Sequence, residues 1–169
     1  MQPITEQQIR SSFVNASKGE ANRATIPELD HLDWGSLDYL GWTDAKRPGI
    51  SYVVMHVDGT VRGILLRAAG SGAPTNRKAI CVWCEDVKAT DNVRMVIAPL
   101  AGKAGRDGGT IGTLACAGFA CSSNVRRAPS RSEIGDQATA EEREFWTGLR
   151  IEGLRERVAR FIHQVMRDD

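Results

Sequence analysis

The chain has 169 residues, 41% of them hydrophobic and 25% charged, and carries a net charge of +1. That composition supports one compact domain with a real core and excludes disordered and fibrous classes. No apolar run approaches the roughly 18 residues of a membrane helix, and the start MQPITEQQIR lacks the basic-then-apolar pattern of a signal peptide, so the reading is a soluble, cytoplasmic protein.

In chain order, Thr5 followed by Gln8 forms a capping-box pattern, and Ile9, Phe13 and Ala16 recur at helical spacing, which predicts one helix from Glu6 to Glu20. Pro27 and the stretch DHLDWGSLDYLGW break that period. Trp34, Leu37, Tyr39, Leu40 and Trp42 there read as a packed connector, neither long helix nor strand. SYVVMHV and TVRGILLRA flank Asp58-Gly59, the signature of a tight antiparallel hairpin. AGSGAPTN reads as a flexible connector. After it come a strand over Asn92 to Ala98, the glycine-rich GKAGRDGG, a strand TIGTLA and a helix running through Phe119 to Arg127. Pro129 and the polar SRSEIGDQ end that helix. Thr139 and Glu142 form a second capping box, and Phe145, Leu149, Leu154, Val158, Phe161, Ile162 and Val165 draw an apolar stripe along one long terminal helix.

The near-neutral charge conceals a division. Residues 1–76 carry 7 basic and 8 acidic side chains, residues 77–127 carry 8 and 4, and residues 128–169 carry 7 and 9. All four cysteines lie in the basic middle segment, which joins a positive surface to the thiols.

Cys81 and Cys84 are separated by two residues, as in a zinc knuckle whose two thiolates reach one ion at ~2.3 Å. Cys116 and Cys121 are separated by four and span a strand end and the first turn of a helix. Knuckle, hairpin and helix together describe a treble-clef finger, although the usual second pair is separated by two residues. Four thiolates fill the Zn²⁺ tetrahedron and make a closed, structural site. Such a centre carries a formal charge of −2, which Arg77, Lys78, Arg94, Arg126 and Arg127 are near enough in sequence to offset. A redox Cys-x-x-Cys would open a helix after a strand, whereas Glu85, Asp86 and a strand follow here. That alternative, and four unrelated buried cysteines, are the competing readings.

Catalytic patterns do not emerge. GKAGRDGG is not a phosphate-binding loop, because Lys103 is followed by Ala104. His31, His56 and His163 are scattered, without a carboxylate or serine at a meaningful spacing. The sequence reads as a non-enzymatic recognition module.

The segments ITEQQIRSSFVNASKGEA, LDYLGW, CVWC and above all GKAGRDGGTIGTLACAGFACSSNVR resemble the FusB-type elongation factor G-binding family, in particular its short actinobacterial members, from Ile4 to Arg127. The two-residue and four-residue cysteine spacings are that family's own. The resemblance implies an α+β fold: an antiparallel β-sheet with a four-cysteine treble-clef zinc finger, flanked by an N-terminal helix and a long C-terminal helix. It implies a single domain over residues 1–169 with a finger subdomain near residues 77–127, and Cys81, Cys84, Cys116 and Cys121 as ligands of Zn²⁺. Elongation factor G is the implied partner, with action on its release from the ribosome and fusidic acid resistance as the associated activity. Family contacts cluster on the finger and include aromatic and lysine side chains. Trp83, Lys103, Arg106 and Arg126 are the candidates here, since the residue after the first cysteine is Val82. The alternative is an RNA- or ribosome-binding zinc protein. Only Trp83 and Phe119 are aromatic in the basic segment, which favours a protein partner over stacked bases.

Overall fold

The computed structural model describes residues 1–69 and 78–167. The expected connector AGSGAPTN, apart from Ala69, and Arg77 lie outside the described residues. Where one N-terminal helix was expected there are two, α1 (Glu6–Ser12) and α2 (Lys18–Arg23). Thr5 and Gln8 cap the first reciprocally, and Ser17 and Glu20 cap the second in the same way. The second box restarts the helix, because its serine must be extended to accept from Glu20 N–H. Between the two, Val14 N–H donates to Gly63 O, and the Asn15 side chain enters the sheet.

Two 3-10 turns (Leu29–His31 and Trp34–Ser36) lead into β1 (Leu40–Thr43), a strand the apolar connector did not announce. Gly41 lies in it, and a Cβ there would stand 2.7 Å from Phe119 Cγ, so strand pairing and close packing override weak local propensity. β2 (Ile50–Val57) and β3 (Thr60–Ala68) form the expected hairpin about Asp58 and Gly59, both at positive φ (50° and 74°). β4 (Val93–Pro99) and β5 (Thr110–Cys116) complete a five-stranded antiparallel sheet in the order β1-β2-β3-β4-β5.

The join between β3 and β4 is narrow, pairing Arg67 with Ile97 and Ala68 with Val96. Beyond Leu66 and Ala98, the next hydrogen-bonded pair would set Leu65 against Pro99, which has no N–H to give. Asn15 occupies that place: its amide donates to Leu65 O at 3.0 Å and Pro99 O at 2.9 Å, and accepts from Leu65 N at 2.8 Å. A side chain thus continues a ladder that proline interrupts.

GKAGRDGG forms a short helix, α3 (Gly102–Arg106), folded back on itself. A Cβ on Gly105 would meet Leu100 O at 1.8 Å, so packing accounts for this glycine. α4 (Cys121–Arg126) is shorter than expected, because Phe119 adopts positive φ (55°) before it, and α5 (Arg131–Ile134) forms where polar coil was expected. α6 (Ala140–Met166) is the long terminal helix, with its Thr139–Glu142 capping box in place.

Both sheet faces are covered. Ile4, Ile9, Trp42, Tyr52, Val54 and Leu65 pack on the side of α1 and α2. Val53, Ile64 and Leu66 join the four cysteines, Trp83 and the C-terminal half of α6 on the other. Leu154, Val158, Phe161, Ile162 and Val165 are buried there, whereas Phe145 and Leu149 are 69% and 44% exposed. The expected stripe is therefore core only from Leu154 onward, since the α6 residues before it run past the sheet. No helix among the described residues is long and apolar enough to cross a membrane.

Candidate metal centre

The knuckle forms because the chain reverses within Cys81–Glu85. Glu85 N–H donates to Cys81 O at 2.8 Å with Glu85 at positive φ (51°), and Val82 N–H donates to Leu114 O at 2.9 Å, which fastens the turn to β5. Cys116 ends β5 and Cys121 opens α4. The four-residue spacing between them admits a turn, closed by Phe119 N–H on Cys116 O at 3.0 Å, that sends Phe119 inward against Trp83 (ring centroids 6.4 Å apart).

All four Sγ atoms lie within 4.8 Å of one another and all four residues are buried. Cys81 and Cys121 are 3.7 Å apart at sulfur, as are Cys84 and Cys116. A tetrahedral ion with Zn–S bonds of ~2.3 Å sets its sulfurs ~3.8 Å apart, so these four residues fit zinc in number, softness and spacing. The electrostatics point the same way. Hydrogen bonds from Cys116, Cys121 and Cys84 pull the Cys81 thiol far down, and Cys84 is brought to about 7, chiefly by Cys116. Cys116, with Cys81 and Cys84, drives the Cys121 thiol far up. A dication is what allows all four to ionise together.

The expected cations do not supply the compensation. Lys78 pairs with Asp91, Arg126 with Asp38, Arg127 with Asp86 and Glu133, and Arg94 reaches Thr43 and Ser51. A neutral amide, Asn124, faces the sulfurs instead, with Nδ2 3.4 Å from Cys116 Sγ and 3.8 Å from Cys84 Sγ. No sequence pattern marked Asn124; its place one helical turn beyond Cys121 is the signal that could have found it. Asn124 is held in turn, because Arg150 donates to its carbonyl at 2.7 Å and to the buried Asp86 at 2.7 Å. Lys88 N and Ala89 N each donate to Asp86 at 2.8 Å, so a single carboxylate binds knuckle, α4 and α6 together.

The four expected contact residues do not converge. Trp83 is fully buried among Tyr39, Phe119 and Phe161, so it is a core residue with no surface to offer a partner. Alternation across the knuckle turns Val82 outward, 48% exposed, where the aromatic was expected. Arg126 forms a two-pronged pair with buried Asp38, at 2.5 and 3.2 Å, and joins α4 to the β1 connector. Lys103 and Arg106 are exposed on α3, beyond the Pro99–Thr110 end of the β4–β5 hairpin, whereas Cys116 lies at its other end, six rungs or about 20 Å away.

The comparisons with known proteins agree with this geometry. The family model described as the FBP C-terminal treble-clef zinc-finger matches residues 8–165. No curated protein sequence matches. A solved structure of the fusidic acid resistance protein FusC superposes with a TM-score of 0.50 at 18% identity, covering 73% of this chain and 52% of that one. The chain thus spans about half the length of that protein, and the likeness is one of fold. With the match running over both helical flanks, the sheet and all four cysteines, the chain belongs to the FBP C-terminal treble-clef zinc-finger family.

Proposed function

We propose that this is a non-catalytic, cytoplasmic protein that binds Zn²⁺ through Cys81, Cys84, Cys116 and Cys121, and uses the finger so stabilised to bind translation elongation factor G and act on its release from the ribosome. Family membership and the fold shared with a fusidic acid resistance protein support that partner. The zinc centre fixes the knuckle and leaves no open coordination position for a substrate.

One observation carries the reading. The finger exposes apolar side chains, Ile80, Val82, Val87 and Met95, while Arg126, Arg127 and Arg150 are drawn into internal pairs with Asp38, Asp86 and Glu133. Exposed apolar side chains around a rigid turn suit a desolvated protein contact, whereas binding to RNA phosphates needs free cations and gains from stacked aromatics. A groove of about 530 Å³ runs between Val82, Met95 and Leu114 on one side and Arg157, Arg160 and Phe161 on the other, and offers a seat for the factor. Lys103 and Arg106 remain in the proposal as a separate basic contact.

The test is association of the zinc-loaded chain with purified elongation factor G, alongside a single-stranded RNA oligomer. A complex that Val82→Asp weakens at least about tenfold, with zinc content unchanged, supports the reading. Salt-sensitive RNA binding without factor binding at micromolar concentration overturns it in favour of a ribosome- or RNA-binding protein.

A further inference from the structure

The strand order leaves β1 and β5 as the two edges of the sheet. Successive residues of a strand turn their N–H and C=O to opposite sides, so one half of an edge strand faces outward. On β5 the parity is fixed by its neighbours. Leu100 N–H donates to Gly109 O and Ala117 N–H to Asn92 O, which turns residues 109, 111, 113, 115 and 117 toward β4. Leu114 O points the other way and accepts from Val82 N–H, so Thr110, Gly112 and Leu114 face out. Among the described residues nothing donates to Thr110 O or Gly112 O, or accepts from the N–H of Thr110, Gly112 or Leu114. Thr110 and Gly112 are exposed.

Edges are kept from pairing with other chains by shortness, charge, proline or a bulge. β1 is short, with four residues of which only Gly41 and Thr43 turn outward. β5 has none of these devices: TIGTLAC runs for seven residues without a charge or a proline, in unbroken register with β4. The groove beside α6 is lined by Gly112, which has only backbone to give, with Met95 and Leu114 on one flank and Arg160 on the other. Arg160 is exposed and has no ion pair among the described residues, whereas its neighbour Arg157 is held by Glu85.

We propose that an extended segment of a protein partner adds to the β5 edge as a sixth strand along Thr110–Leu114, carrying apolar and acidic side chains in alternation. The knuckle already supplies the first rung of that position, Val82 N–H on Leu114 O, and the segment continues it toward Thr110 over about 14–17 Å. Backbone bonds give such a segment its grip, and its alternate side chains give selectivity. One set of side chains packs on Met95 and Leu114, which stand opposite each other on one face, and the other set turns to α6, where a carboxylate meets Arg160. A second copy of β5 has the same backbone but brings no charge to Arg160, since TIGTLAC is uncharged. This deepens the proposed function by naming how the groove holds a partner, and rests on that reading for the partner's identity.

The experiment uses the zinc-loaded full chain in two arms. With elongation factor G, amide hydrogen exchange at Thr110, Gly112 and Leu114 should slow at least about tenfold, against Ile111 and Thr113, whose amides already point at β4, as the internal reference. Gly112→Pro removes an outward N–H that the β4–β5 ladder does not use, and should weaken the complex at least about tenfold with zinc content unchanged. Should that variant fail to fold, Arg160→Glu should weaken it by a similar factor. A complex without protection at the three amides, or one that the folded variants form equally well, overturns the edge as the contact and leaves the proposed function intact. In the second arm a blocked peptide alternating valine and glutamate is titrated by NMR. Saturable shifts and slowed exchange at the same three amides are expected, and lysine in place of glutamate should weaken them at least about tenfold. No saturable response overturns the site. Protection of these amides that grows with the concentration of the free chain assigns the edge to a second copy and overturns the partner segment. A wild-type chain that binds no factor overturns the proposed function, and the peptide arm still decides the edge.

Discussion

Asn124 illustrates how much of a closed metal site is decided outside its ligands. Its amide is the described side-chain donor to the sulfurs, and amides of this kind orient thiolates and spread their charge. Asn124→Leu should lower zinc affinity by about 10–100-fold in a chelator competition while leaving one ion per chain at saturation. Glu133 is a second residue whose effect can be read in isolation. The hydrogen bond from Arg127 holds its carboxyl at about 2, below the usual 4.5. A depressed carboxyl stabilises the fold above its unfolded value and loses that contribution as pH falls through the folded one. The melting temperature of the wild type should therefore exceed that of Glu133→Gln at pH 6, and the gap should shrink from pH 4.5 downward and close near pH 2. The knuckle also shows what sequence can and cannot reveal at this scale. The cysteine set was legible from spacing alone, while the exchange of Val82 for Trp83 as the outward side chain was not, because a turn has no fixed period and only its tilt against β5 settles which neighbour is buried.

Among the elements, those with internal signals were legible and those made by distant partners were not. The β2–β3 hairpin and α6 announce themselves through Asp58-Gly59 and Thr139–Glu142. β1 was not visible, since four residues with a glycine become a strand only when β2 pairs with them. The break between α1 and α2 is similar in kind: the helical period runs on through Phe13 and Ala16, but Val14 and Asn15 gain more by bonding to β3 than by continuing the helix. Periodicity along α6 misleads in the opposite direction, because amphipathic spacing says which face is apolar and not how far the sheet reaches. Leu154→Ala should cost about 2–5 kcal/mol by denaturant unfolding, whereas Leu149→Ala, on the exposed part of the same helix, should stay within about 0.5 kcal/mol.

For the whole molecule, the metal centre and the sheet are joined through few bonds and much packing. Two backbone rungs and Asn15 connect β3 to β4, while the cysteines share one apolar cluster with α6 and the inner face of β2 and β3. Removing zinc leaves four crowded thiols in that cluster. Chelation is expected to release the finger and α6 first, and the β1–β2–β3 unit, which keeps its own cluster with α1 and α2, should persist longer. Hydrogen exchange after chelator addition checks this: loss of protection in β4, β5, α4 and α6 should precede loss in β2, and simultaneous loss throughout would contradict it.

The amino-acid sequence by itself determined the cysteine set, the hairpin, the terminal helix and the treble-clef class, because each rests on local spacing, turn chemistry or capping, which act over a few residues. The tertiary structure alone decided what the charges do. A surplus of cations in the middle of the chain suggested a basic surface, yet Arg126 and Arg127 are drawn into pairs with Asp38 and Asp86, carboxylates remote in sequence that burial makes expensive to leave alone. The surface left over is apolar at the knuckle, and the exposed cations Lys103 and Arg106 stand at the far end of the β4–β5 hairpin, where no buried carboxylate draws them in.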